Sequence, residues 1–180
     1  VLETTAVAGE ALPKALADLA GRPHLDEVMV VSTCMRTEVY ATTERFHGAV
    51  GDIREFLAMW SGTPPEAFSA SLYDYYDRAA AGHLLRVASG LDSAVLGEGE
   101  ILRQVRSAGE AARAERTAGP VLGELVRRAV EAGKRVRSET AIARGTTSLS
   151  HTAVMLAGRS LSAGPVSDAS VTAGPGAAGP

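Results

Sequence analysis

The chain has one cysteine, Cys34, in 180 residues. That excludes an intrachain disulfide and an all-cysteine metal site. The four histidines, His24, His47, His83 and His151, show no paired spacing, so no zinc site is expected. No apolar run approaches the roughly 18 residues that a membrane-crossing helix needs, and no basic, apolar, small-residue leader opens the chain. With a lone thiol suited to a reducing compartment, these absences point to the cytoplasm and to no membrane partner. Lysine is scarce too. Lys14 and Lys134 stand against 16 arginines, a bias that GC-rich coding explains better than any physical need.

The 46% hydrophobic content is that of an ordinary globular chain, long enough for one medium domain or a piece of a larger protein. Net charge is only -3 but unevenly spread. Residues 1–102 hold 7 basic and 15 acidic side chains, whereas residues 103–144 hold 10 basic and 5 acidic. The basic stretch reads either as a phosphate-facing surface, centred on Arg127, Arg128 and Arg135, or as a solvated amphipathic face.

Periodicity sorts the chain into elements. Leu12, Leu16 and Leu19 form one stripe of a helix over residues 10–19, with Gly21 as its stop. Residues 27–33 and 37–43 read as two strands flanking a turn at Cys34. Ile53, Phe56, Leu57 and Trp60 mark a helix over residues 48–60, broken by Thr63-Pro64-Pro65. Residues 72–76 read as a further strand, and Asp77 as the N-cap of the next helix. Three amphipathic stripes follow: Leu84, Val87, Ala88 and Leu91; Ile101, Val105, Ala108 and Ala112; and Leu122, Val126, Ala129, Gly133 and Val136. A further helix is expected over residues 148–161. The fold class is α+β, a small sheet with helices followed by a helical subdomain. Residues 162–180 are rich in Gly, Pro, Ala and Ser and read as a disordered tail.

The apolar run Val28-Met29-Val30-Val31 leads into Ser32-Thr33-Cys34 and then the polar Arg36-Thr37-Glu38. A buried strand that ends in a polar turn is a way of presenting a thiol at the surface. If the chain stays extended, Cys34, Arg36 and Glu38 share one face, because strand side chains alternate. A guanidinium beside a thiol favours the thiolate, the form that attacks carbonyl carbon. Taken alone, the segment fits a small cysteine buried in a core better, since a free cysteine is usually a core residue.

Ser32-Thr33-Cys34-Met35-Arg36-Thr37-Glu38-Val39-Tyr40 resembles the signature S-T-C-N-R-T-E-V-Y of the glutamyl-tRNA reductase family. Gly90-Leu91-Asp92-Ser93-Ala94-Val95-Leu96-Gly97-Glu98 resembles the same family's G-L-D-S-x-V-x-G-E stretch. The resemblance covers residues 1–161 and implies the catalytic domain of that enzyme, lacking its first strand. It implies that Cys34 displaces tRNA from glutamyl-tRNA and holds glutamate as a thioester. NADPH then reduces the thioester to glutamate-1-semialdehyde, entering tetrapyrrole synthesis.

By the same resemblance, His83 is important for activity, and Thr33, Cys34, Met35, Arg36 and Ser93 contact the substrate. Glu98, Gly99, Glu100 and Gln104 complete that set. A glutamate-1-semialdehyde aminomutase partner and a homodimer, its dimerising segment beyond this chain, are further implications. The bland alternatives are an Arg36–Glu38 strand pair, a turn serine at Ser93, a structural helix histidine at His83, and helix-terminal charge at Glu98 and Glu100.

Gly174-Pro175-Gly176-Ala177-Ala178-Gly179 matches G-x-G-x-x-G. Gly174, Gly176 and Gly179 would therefore be the cofactor-binding glycines at the truncated start of a Rossmann NADPH domain. No second βαβ strand follows them.

Two positions depart from the family pattern. Met35 stands for asparagine beside the nucleophile and offers only a weak acceptor. Glu100 stands for glutamine and adds negative charge near a pocket for an anionic amino acid. Met35, the missing first strand and the absent NADPH domain sustain an alternative, a non-reducing homologue or fragment that binds or deacylates glutamyl-tRNA.

Overall fold

The computed structural model describes residues 6–7, 9–94 and 96–142. Its elements are α1 (Ala11–Ala20), β1 (Glu27–Ser32), β2 (Thr37–Thr42), α2 (Phe46–Ser61), the single turn α3 (Pro65–Phe68) running into a 3-10 turn (Ser69–Ser71), α4 (Asp77–Ala88), α5 (Glu100–Ala114) and α6 (Pro120–Glu139). The class is α+β as expected. The predicted helix over 148–161 and the 162–180 tail lie outside the described residues.

β1 and β2 form an antiparallel ribbon in which Val31 pairs with Glu38 and Glu27 with Thr42. Glu27 to Val31 are all buried, so helices cover both faces of β1 and its apolar run does not alternate. The outer edge of β1 is closed by Thr117: Val28 N–H donates to the Thr117 carbonyl at 2.7 Å, and the Thr117 hydroxyl donates to the Val28 carbonyl at 3.0 Å. The core runs from Leu16 and Leu19 through β1 to Phe56, Leu84, Val87 and Val105. Each such side chain contributes about 1.5–3 kcal/mol on burial.

α4, α5 and α6 pack on one another as the helical subdomain. The α5 stripe Ile101, Val105, Ala108 and Ala112 is wholly buried. Gly133 lets α6 approach α4: a Cβ there would lie 2.5 Å from the Ala88 carbonyl oxygen. α6 begins at Pro120, a residue pre-set for a first helical position. Its cap comes from the sheet, where the Glu27 carboxylate accepts the N–H groups of Val121 at 3.1 Å and Leu122 at 2.7 Å.

Three expectations are corrected. Residues 72–76 form no strand and pair with none among the described residues. A cavity of about 530 Å³ lies between β2 and the 71–77 strap, with Ile53 and Leu57 of α2 among its walls. Asp77 is the first residue of α4 rather than its cap, with φ of 51° and Tyr76 at the N-cap position. Leu91 leaves its expected stripe because α4 stops at Ala88, and it is 45% exposed.

Candidate active site

The cysteine segment is the turn of the ribbon. Thr33 N–H donates to the Arg36 carbonyl at 2.8 Å, and the Thr33 hydroxyl accepts the N–H groups of Met35 and Arg36, both at 3.1 Å. Thr33 therefore shapes the loop that carries Cys34. The chain does not stay extended through Cys34, so the thiol does not share a strand face with Arg36 and Glu38. It is exposed at the turn, which excludes the buried core reading. Met35 beside it is 54% exposed.

Past the turn the alternation holds, and Arg36, Glu38 and Tyr40 fall on one side of β2. Glu38 is buried and its carboxylate is the hub of the site. Oε1 accepts Arg36 Nη1 at 3.2 Å, the Tyr73 hydroxyl at 2.9 Å, and pairs with His83 Nε2 at 3.0 Å. Oε2 accepts the Tyr40 hydroxyl at 2.5 Å. Burial alone would raise the Glu38 carboxyl, but the bonds from Tyr40 and His83, the charge of His83 and the Tyr73 hydroxyl together hold its pKa below the usual value. Reciprocally, burial and then the Glu38 charge push the Tyr73 hydroxyl up to about 12 and Tyr40 higher still. The Tyr73 ring is half exposed while its hydroxyl reaches inward to the carboxylate.

Asp92 ties the second motif to this hub. Its backbone carbonyl accepts Arg36 Nη2, and its carboxylate accepts Arg86 Nη2 at 2.6 Å and Arg86 Nε at 3.2 Å. The Arg86 bonds hold the Asp92 carboxyl below its usual range. His83 Nδ1 lies 3.6 Å from the same carboxylate. The loop that presents Asp92 is closed by Gly97 N–H donating to the Gly90 carbonyl at 2.9 Å. Both glycines have positive φ, 73° and 76°, which side-chain-bearing residues rarely adopt.

A cavity of about 490 Å³ opens here, lined by Arg36, Tyr73, Tyr75, His83, Arg86 and Asp92 among others. On α4 its wall is the stripe Ala79, Gly82, His83 and Arg86, at helical spacing. Cys34 stands two residues from Arg36, outside the lining.

The structure thus brings Arg36 and His83 together and presents Cys34 on the adjoining turn. Ser93 follows Asp92 directly and makes no side-chain hydrogen bond among the described residues. The Glu98 carbonyl accepts Arg137 Nη1 at 2.8 Å, Gly99 is the N-cap residue of α5, and Glu100 pairs with Arg103 at 2.8 Å. None of these, nor Gln104, bonds to Arg36, Glu38 or His83 among the described residues. Gly174, Gly176 and Gly179 lie outside them. Sequence reasoning missed Tyr40, Tyr73, Arg86 and Asp92 and treated Glu38 only as a partner for Arg36. The signal for Glu38 and Tyr40 was the alternation after Arg36.

The basic arginines of α6 are ion-paired within their own helix. Arg127 reaches Glu124 at 2.6 Å and Glu131 at 2.5 Å, Arg128 reaches Glu124 at 2.8 Å, and Arg135 reaches Glu139 at 2.9 Å. Arg106, Arg113 and Arg116 make no ion pair among the described residues. Among those residues no cluster of His, Cys, Asp and Glu could hold a metal ion, and no helix is long and apolar enough to cross a membrane.

An exposed thiol on the ribbon turn, followed two residues on by an arginine whose buried carboxylate partner also holds a histidine, marks the candidate site of this α+β domain. Residues 1–140 match the family described as the glutamyl-tRNAGlu reductase N-terminal domain. The chain is 44% identical over 178 residues to the glutamyl-tRNA reductase of Salinispora arenicola, covering 99% of this chain and 39% of that protein. It is 40% identical over 157 residues to that of Acaryochloris marina, covering 87% and 36%. The solved glutamyl-tRNA reductase from Methanopyrus kandleri superposes with a TM-score of 0.63 at 34% identity, covering 88% of this chain and 37% of that one. The chain belongs to the glutamyl-tRNA reductase family and corresponds to its N-terminal domain. It spans under two fifths of the length of these relatives.

Proposed function

We propose that this domain takes the glutamyl group of glutamyl-tRNA onto Cys34. The thiolate sulfur attacks the ester carbonyl carbon, the bond to the terminal ribose oxygen breaks, and the ribose hydroxyl leaves carrying a proton, with a thioester as product. The observation that carries this reading is the exposed thiol on the turn two residues before Arg36. Glu38 and the Asp92 carbonyl engage two of the five N–H groups of the Arg36 guanidinium, and the remaining three are available to a carboxylate of the glutamyl group. His83, facing the same cavity, is the group placed to move the proton.

NADPH is the reductant of the family. The described residues contain no strand–glycine turn–helix unit of the kind that holds a dinucleotide pyrophosphate, so they do not fit that group. The chemistry proposed for the described residues ends at the thioester, whose hydrolysis would release free glutamate.

Acid quenching after incubation with glutamyl-tRNA labelled in its glutamate tests the reading. Label should migrate with the protein, and Cys34→Ser should abolish the transfer while leaving tRNA affinity within about a few fold. Transfer to the serine variant at the parent rate would remove Cys34 from the mechanism.

A further inference from the structure

Four donors converge on the Glu38 carboxylate: Arg36 from the turn, Tyr40 from β2, Tyr73 from the strap and His83 from α4. Three of them meet on one oxygen, Oε1. A carboxylate has about four acceptor sites, and four donors already converge on this one. Stability does not explain a charge here. Desolvating a carboxylate costs several kcal/mol, and buried ion pairs are often replaceable by well-packed apolar side chains without loss. What an apolar residue could not do is hold a guanidinium and an imidazole in fixed relation.

Resting on the acyl-transfer reading above, we infer that Glu38 is the positioning residue of this site, its Oε1 fixing the Arg36 fork and the His83 ring at once. Docking of the glutamyl carboxylate on Arg36 and proton movement at His83 are then set by one carboxylate that touches neither substrate nor thiol. Tyr40 on Oε2 locks the plane of the carboxylate, and the Tyr73 hydroxyl fastens it to the strap. The groups facing His83 are Glu38 from β2, Asp92 from the loop after α4, and the Tyr73 and Tyr75 rings from the strap, with centroids 5.7 Å and 4.8 Å away. Arg36 reaches His83 only through Glu38.

Glu38→Gln separates charge from shape. The amide oxygen can take the place of Oε1 and accept the same three donors, while the amide NH2 faces the Tyr40 hydroxyl, which turns to accept. The contacts survive but weaken, because a neutral amide oxygen accepts less strongly than a carboxylate. Glu38→Asp keeps the charge but withdraws it from α4 and the strap by one methylene.

The test measures thioester formation from labelled glutamyl-tRNA over a range of substrate concentrations, together with ¹⁵N resonances of the His83 ring and the Arg36 guanidinium. Glu38→Gln should raise KM about tenfold and lower the maximal rate about a hundredfold. Glu38→Asp, which keeps the charge, should recover part of the maximal rate but not KM. Both sets of ring resonances should shift together in Glu38→Gln. A folded Glu38→Gln with the parent's KM and rate overturns the proposal, as does a loss of rate with KM and the ¹⁵N resonances unmoved. If the parent itself takes no label, the acyl-transfer reading fails on its own, and the ¹⁵N arm still decides whether one carboxylate holds both groups: independent shifts of Arg36 and His83 would sink it.

Discussion

Glu27 and Glu38 lie near opposite ends of one ribbon, at 9% and 8% exposure, and each has both carboxylate oxygens hydrogen-bonded. The partners differ in kind. Glu27 accepts two backbone N–H groups at the start of α6, donors present at every helix start whatever its sequence. Glu38 accepts from side chains of the turn, the strand, the strap and α4, donors that exist only because particular residues stand there. A carboxylate that satisfies backbone fixes architecture, and here it couples the sheet to the helical subdomain. One that gathers side chains which titrate or carry charge fixes a site. Equal burial therefore says little about role, and the identity of the donors says most of it.

Substitutions at the two ends should dissociate rate from stability. At the turn, Met35→Asn should raise the rate of thioester formation about ten- to a hundredfold, the worth of one hydrogen bond to a charged or polarised group at ~1.5–3 kcal/mol. The side chain is exposed, so stability should change by less than about 0.5 kcal/mol. Single-turnover acid quench and denaturant unfolding check the two halves. A rate that stays level or falls means the pocket has adapted to the thioether, which favours a binding or deacylating homologue.

At the far end the signs reverse. Glu27→Ala leaves two N–H groups of α6 without their acceptor and should cost about 1–3 kcal/mol. The rate of acyl transfer per folded molecule should stay within about twofold of the parent. Urea unfolding of this variant beside Glu38→Gln decides the comparison. If Glu27→Ala slows acyl transfer in fully folded protein, the division of labour along the ribbon is wrong.

Much of this was legible before the structure, for reasons that differ by element. The β1 run and the α5 stripe could be read because burial on two faces or on one is written in local spacing. The turn at Cys34 was legible from its polar flanks, although the alternation drawn through Cys34 failed once Thr33 folded the loop back on itself. Residues 72–76 have strand composition but no described partner, and pairing is a property of the neighbour rather than of the segment. The contact of Arg36 with the Asp92 carbonyl spans 56 positions and uses a backbone atom, so no residue type announces it. Glu38 was visible in the signature, but its role depends on Tyr73 and His83 arriving from other elements.

The smallest expected effect is in alkaline stability, and it isolates one bond of the Glu38 hub. Tyr73 titrates at about 12 in the folded protein against an ordinary value of 10.0, because burial and then the Glu38 charge oppose ionisation. A folded-state pKa above the unfolded one means the native state holds the proton more tightly. The stability this contributes is complete below pH 10 and lost as pH rises from there toward 12. Glu38 acts with the opposite sign. Its folded pKa lies below the ordinary 4.5, so its contribution is present above that value and lost as pH falls through the depressed one. Tyr73→Phe should therefore flatten the fall in stability between pH 10 and 12 while leaving the loss below pH 4.5 in place. Because the Tyr73 ring is half exposed, solvent screening keeps the alkaline change small. Denaturant unfolding at intervals from pH 3 to 12 in parent and variant measures both limbs. A Tyr73→Phe profile that still matches the parent between pH 10 and 12 would show that Tyr73 does not donate to Glu38, leaving that carboxylate to Arg36, Tyr40 and His83.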